Sequence, residues 1–176
     1  EKKFSLLKSR NKNSITDYAA EHVLNSDNKK YNLFEWNQRG SDERQYCAPG
    51  VDLPIATIMR SKYGEHPEYH TSLDNLNFIN PEGLGGGFNA LRKVVESIES
   101  NCTPKVTVLG EPQLSKNGLY PTLGTRSTKK TVELMMHVIA YSDGTHSLLD
   151  IAEITGRPIW DIVPIFRKLI KASVLK

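Results

Sequence analysis

The chain has 176 residues and a mass of 19.8 kDa, with 38% hydrophobic and 24% charged residues. That is enough apolar mass for a real core, and it excludes a disordered tail or a small peptide scaffold. Twenty-three Lys and Arg against 20 Asp and Glu leave a net charge of +3 and a pI near 8.8, too small a surplus to indicate nucleic acid or an anionic membrane by itself.

Cys47 and Cys102 lie far apart in unlike contexts, so neither a disulfide framework nor a cysteine zinc module is read from them, and a reducing cytosol is the expected compartment. No run approaches the ~20 apolar residues of a membrane span, and Glu1-Lys2-Lys3-Phe4 opens no signal-peptide core. The chain does not begin with Met, which fits a piece of a longer protein.

Residues 14–24 predict a helix, opened by Ser14 with Asp17 three positions later and carrying Ile15, Tyr18, Ala19, His22 and Val23 near one face. Residues 31–36 predict a strand, followed by the turn Gln38-Arg39-Gly40-Ser41. Residues 53–59 predict a second strand, apolar on both sides and so expected to be buried in a parallel α/β sheet, with Pro54 at its start. Residues 81–100 predict a helix whose core face is Leu84, Phe88, Leu91, Val95 and Ile98, with a stable start near Phe88 after the costly Gly85-Gly86-Gly87 run. Those glycines lack the preceding strand and the Lys-Ser/Thr of a phosphate loop, so they read as a flexible helix entry.

Residues 101–128 read as a connection over the first unit, with one short strand candidate at 106–109. Three helices follow, at 130–141, 147–155 and 159–171, in the order of a helix-turn-helix or truncated winged helix. The last is apolar nearly all round, which favours a buried docking helix over a DNA-reading one.

The histidines give no zinc motif by spacing: Pro67 separates His66 from His70, and His22, His137 and His146 take packing or surface roles. Two polar segments follow the predicted strands, 40–50 and 67–75, and in a parallel sheet both would face the crevice at the strands' carboxyl ends. Asp42 and His70 delivered there are a donor pair that suits zinc, and Asp74 is placed to accept the other ring N–H of His70. Asp42 and Glu43, being adjacent, point apart and make no acid–base pair.

The motifs Ser41-Asp42-Glu43-Arg44-Gln45-Tyr46-Cys47-Ala48-Pro49-Gly50, Leu53-Pro54, Met59-Arg60 and Pro67-Glu68-Tyr69-His70-Thr71-Ser72-Leu73-Asp74-Asn75 are found in order. Glu111-Pro112-Gln113-Leu114 and Gly118-Leu119-Tyr120 follow them. Together they resemble bacterial aminopeptidase-like proteins linked to polysaccharide biosynthesis, of the co-catalytic zinc aminopeptidase clan. The similarity extends to Ser142-Asp143-Gly144 and Leu148-Leu149-Asp150-Ile151-Ala152, which look like the winged-helix extension of those proteins.

The resemblance implies that Asp42 binds one zinc and His70 the other, in a pair of ions that activates a bridging water against a peptide carbonyl. It leaves Arg44 and Tyr69 to touch a peptide-like or amide substrate, and the role of Glu43 open. The family's further histidine, bridging aspartate and general-base glutamate precede the matched region, so the catalytic residue is expected upstream and the chain alone inactive. The expectation is therefore an α/β fold: the C-terminal part of an aminopeptidase-like domain over 1–125 and a winged-helix-like domain over 126–176. No membrane and no nucleic-acid partner are expected. The alternatives are a binding module on a peptidase scaffold, and a DNA-binding helix-turn-helix.

Overall fold

The structure is a computed structural model that describes residues 3–40, 42–119 and 126–176, the side chains of 126–128 aside. Ser41, Tyr120 and the expected 125/126 boundary's first residue lie outside the described residues. The chain divides into two compact units, Glu1–Ile98 and Glu99–Lys176.

The first unit is built on a strand that the sequence reading passed over. Strand β1, Phe4–Leu7, is buried along its whole length because it is the middle strand of a three-stranded sheet ordered β2-β1-β3. Helix α1, Ile15–Ser26, carries the chain over to β2, Tyr31–Phe34, which pairs parallel to β1 with Phe4 opposite Tyr31 and Leu7 opposite Phe34. The expected capping box opens α1: Ser14 accepts the Asp17 N–H, and the Asp17 carboxylate accepts the Ser14 N–H. A single 3₁₀ turn, Trp36–Gln38, ends the β2 segment earlier than expected.

β3 corrects the expectation of a parallel sheet buried on both faces. It is short, Thr57–Met59, and half-buried, and it runs antiparallel to β1 with Ser5 opposite Met59. An edge position gives it one neighbour only, and Leu53, expected inside the strand, is 47% exposed. The core beneath the sheet joins Phe4, Leu6, Ala20, Leu24 and Ala90, with Tyr31, Ala56, Ile58 and Val94 packed against it.

Helix α3, Pro81–Ser100, includes the glycine run. Asn80 explains the early start: its Oδ1 accepts the Gly83 N–H at 2.8 Å and its carbonyl the Leu84 N–H at 3.1 Å, with Pro81 in the first helical position where a missing N–H costs nothing. Gly86 has a packing reason of its own. A Cβ there would stand 2.8 Å from Nη1 of Arg60, whose guanidinium lies 4.4 Å over the Phe4 ring.

The face of α3 expected to enter the core does not. Leu84, Phe88, Leu91 and Val95 are 61, 66, 49 and 58% exposed, while the helix packs through Ala90, Val94 and Ser97. Small residues let the backbone of α3 approach the sheet, and Lys93 fixes the orientation through a 2.5 Å ion pair with Asp27 at the end of α1.

The second unit starts well before 126. Asn101 Oδ1 accepts the Leu149 N–H, Cys102 O the Leu148 N–H and Pro104 O the Gly144 N–H. Lys105 exchanges both backbone bonds with Lys176, and Val106 and Thr107 donate to Ser142 and Val174. Residues 101–107 are thus a strand-like edge of this unit and not a connection over the first, because their backbone groups are satisfied by it.

Helices α4, Arg126–Tyr141, α5, Leu148–Thr155, and α6, Ile159–Lys171, follow. Ser147 and Asp150 cap α5 reciprocally, and Gly156 at φ 61° closes it in the left-handed conformation. α6 is not apolar all round in its surroundings. Ile159, Ile162, Ile165 and Leu169 face the core, while Pro164, Arg167, Lys168, Ile170 and Lys171 are exposed. Among the described residues no helix is long and apolar enough to cross a membrane. Both cysteines are free thiols.

Candidate functional site

Asp42 owes its place to a buried arginine. The Arg39 guanidinium donates to the carbonyls of Leu7 at 3.0 Å, Lys8 at 3.0 Å and Ile55 at 2.6 Å, and to Thr57 Oγ1 at 3.0 Å. It thereby spans the carboxyl end of β1 and the start of β3. Its charge is met by Glu43 Oε1 at 2.9 Å, which pins the single-turn helix α2, Glu43–Tyr46, to that end of the sheet. Asp42 immediately precedes α2 and its exposed carboxylate makes no capping bond.

Glu43 is held below the usual carboxylate range. Burial alone would raise it, but its own backbone N–H, the Arg39 guanidinium and the Tyr63 hydroxyl outweigh that effect. Glu43, left without a role by the sequence, is thus a structural anion paired with Arg39.

The 60–80 segment leaves β3 at the end opposite the carboxyl end of β1, since β3 is antiparallel. The shared-crevice argument from parallel strands therefore fails, yet Tyr63 neighbours both polar segments. It is tied to the first by its hydroxyl, which accepts the Gly40 N–H at 3.0 Å and donates to Glu43 Oε1 at 3.2 Å. Lys62 helps, with its ammonium 4.7 Å from the Tyr63 ring and 5.3 Å from that of Phe34. The Tyr63 ring lies 6.2 Å from Tyr69, and Tyr69 stacks on His70 at 4.0 Å. His66 stacks on Phe78 at 5.4 Å and meets Tyr69 edge-on at 5.8 Å.

His70 takes the left-handed backbone conformation at φ 59°, in a succession of turns in which Thr71 bonds the Glu68 carbonyl and Asp74 the Thr71 carbonyl through its N–H. Among the described residues no hydrogen bond joins Asp74 to His70. Arg44 is exposed and turns its Nη1 back to the Arg39 carbonyl at 3.2 Å, and Tyr69 is 37% exposed. So Asp42 and Arg44 share one turn, Tyr69 and His70 share another, and Tyr63 joins the two. Tyr63 and Arg39 carried no sequence signal beyond their types: one is a loop aromatic and the other a turn cation.

Zinc suits the donor chemistry but not the donor number. The Asp42 carboxylate and the His70 ring have no hydrogen-bond partner among the described residues, as ligands need, but no group of three or more His, Cys, Asp or Glu side chains gathers there. Structural zinc sites take four protein ligands and catalytic ones three. Asp42 and His70 would be two ligands of such a site, fewer than either kind uses.

Two known proteins similar to this chain carry peptidase-like names. A Clostridium acetobutylicum protein named "Putative polysaccharide biosynthesis protein with aminopeptidase-like domain" is 40% identical over 146 residues, 80% of this chain and 32% of that protein. A crystal structure from the same organism, named as that of a "putative peptidase", matches with a TM-score of 0.86 and 32% identity, over 99% of this chain and 38% of that one. The chain therefore spans about a third of the length of these relatives.

The chain belongs to the family described as Domain of unknown function (DUF4910), whose family model matches residues 1–101. A winged helix-turn-helix model matches residues 102–176. The two models meet close to where the two compact units divide.

Proposed function

We propose that this chain is a peptidase-like piece of a zinc-dependent aminopeptidase-type hydrolase, which cleaves a peptide or amide bond and takes its remaining metal ligands and its general base from polypeptide outside these residues. Asp42 and His70 each hold one of two zinc ions. Asp74 orients His70 once metal fixes the ring, and Arg44 and Tyr69 contact the substrate. The observation that supports this reading best is the position of Tyr63 beside both segments, with a carboxylate on one and an imidazole on the other, neither committed to another hydrogen bond.

Zinc stoichiometry decides it, measured on protein that includes the counterpart of the relatives' additional length. Asp42→Ala with His70→Ala should strip the bound metal. Metal retained undiminished in the double variant would overturn the assignment.

One observation favours a second reading for residues 99–176. Ten of the 23 Lys and Arg but seven of the 20 Asp and Glu fall there, so the whole surplus of three lies in the winged-helix unit, and Arg167, Lys168 and Lys171 stand exposed on α6. Binding to duplex DNA through that helix would weaken steeply with salt. Absence of any anisotropy change with labelled duplex at low salt dismisses it.

A further inference from the structure

We propose that Tyr63 is the positioning residue of the site, fixing the His70-bearing turn against the Asp42-bearing one. The inference rests on the metal-binding reading of Asp42 and His70, but the contacts that carry it do not. They form a continuous path. Arg39 is clamped to the end of β1 and to the start of β3 by five hydrogen bonds and holds Glu43 at 2.9 Å. Glu43 receives the Tyr63 hydroxyl at 3.2 Å, the Tyr63 ring adjoins Tyr69 at 6.2 Å, and Tyr69 stacks on His70 at 4.0 Å.

The path matters because Arg60 over Phe4 and Lys62 near Phe34 hold only the start of the 60–80 segment, ahead of His70. Every residue from 71 to 80 is exposed, and among the described residues the backbone N–H groups of Glu65, Tyr69, Thr71, Asp74, Asn75 and Phe78 donate to carbonyls two or three residues earlier. Local turns fix the shape of such a segment but not its position relative to the sheet. Tyr63 supplies a long-range tie nearer to His70, to Gly40 and Glu43, which lie 23 and 20 positions earlier. Its hydroxyl has its one proton on Glu43 and accepts from Gly40, so it has no donor left for a substrate. It acts through its neighbours.

The variants separate its two contributions. Tyr63→Phe keeps the ring beside Tyr69 and loses the bonds to Gly40 and Glu43, while Tyr63→Ala loses both. The reporter is the His70 ring Cε1–H resonance in the full 176-residue chain at constant pH, assigned with His70→Gln, because the stacked Tyr69 ring displaces it by its ring current. With Tyr63 present, Glu43→Gln should move the His70 resonance. In the Tyr63→Ala and Tyr63→Phe backgrounds the same change should leave it still, and Tyr63→Ala should in addition shift it toward the free-histidine position. The indole resonance of Trp36, in the same unit as Tyr63 and beside Arg39, reports that this unit is folded, and if Tyr63→Ala does not fold, the Phe background decides. A Glu43→Gln response as large without the Tyr63 hydroxyl as with it overturns the proposal.

A second arm uses cobalt(II) alone as the probe, on protein carrying the relatives' additional length. Loss of an outer partner that orients a ligand costs ~10- to 100-fold in metal affinity. Tyr63 reaches His70 only through Tyr69, so Tyr63→Ala should lose measurably but less than that, with Tyr63→Phe between it and the wild type. Unchanged cobalt affinity in Tyr63→Ala counts against the positioning role. Cobalt affinity indifferent to Asp42→Ala and His70→Ala removes the metal reading and leaves the resonance experiment to judge Tyr63.

Discussion

Asp17 shows how far one side chain can organise the entrance to a helix. It is 1% exposed, yet its carboxylate accepts from the Ser9 N–H at 2.7 Å, the Ser14 N–H at 3.0 Å and the hydroxyls of Ser9 and Ser14. Burial by itself would lift the carboxyl, and these four donors outweigh it, so the folded-state pKa sits below the ordinary 3.8. A carboxylate lowered in the folded state stabilises fully above its unfolded pKa, and that contribution is lost as pH falls through the folded value. Asp17→Asn should cost about 1–3 kcal/mol near neutrality, from unmatched donors around a neutral amide. The difference between variant and wild type in urea unfolding should shrink as the solution is acidified below the carboxylate range. A gap that does not narrow counts against the carboxylate as its source. The sequence signalled half of this, Ser14 with Asp17 three residues on. Ser9, eight residues away, joins only because β1 ends beside the helix start.

At the scale of elements, legibility followed whether the signal was local. α5 and α6 were readable because caps and turn residues lie within a few positions of what they cap: Ser147, Asp150, Gly156, Pro158. β1 was not, since a four-residue strand containing a serine owes its burial to two distant neighbours. The direction of β3 was equally invisible, and with it the failure of the shared-crevice argument. Periodicity found an apolar stripe on α3 but could not say which side the sheet would take, and Ala90 and Ser97 won by allowing close approach. Asp42 and His70 came from motifs, whereas Arg39 and Tyr63, which position them, lie between motifs. Gly156 offers the element-scale test. Its φ of 61° is costly for a side chain, and no atom stands within 4 Å of where a Cβ would be. Gly156→Ala should therefore destabilise the winged-helix unit by roughly 1 kcal/mol through backbone conformation alone. Urea titration followed by Trp160 fluorescence in a Trp36→Phe background measures it, and Gly156→Asn should lose less because asparagine tolerates this conformation better.

For the molecule as a whole, two units of similar size carry different charge, the first balanced and the second basic. The first also exposes Leu73, Leu76 and Ile79 just ahead of the α3 stripe. Large apolar side chains exposed in such number govern behaviour in solution before they govern anything else. Produced as these residues alone, the protein should be retained on phenyl resin, brighten an anilinonaphthalene dye and lose material on concentration. Phe88→Glu with Leu91→Glu should relieve all three while leaving the unfolding midpoint nearly where it was, because neither side chain is in the core. A large fall in the midpoint would mean that the exposed row carries stability after all. The practical consequence reaches the bench before any assay: a preparation that precipitates reports its uncovered helix, and inactivity in such a sample says nothing about its chemistry.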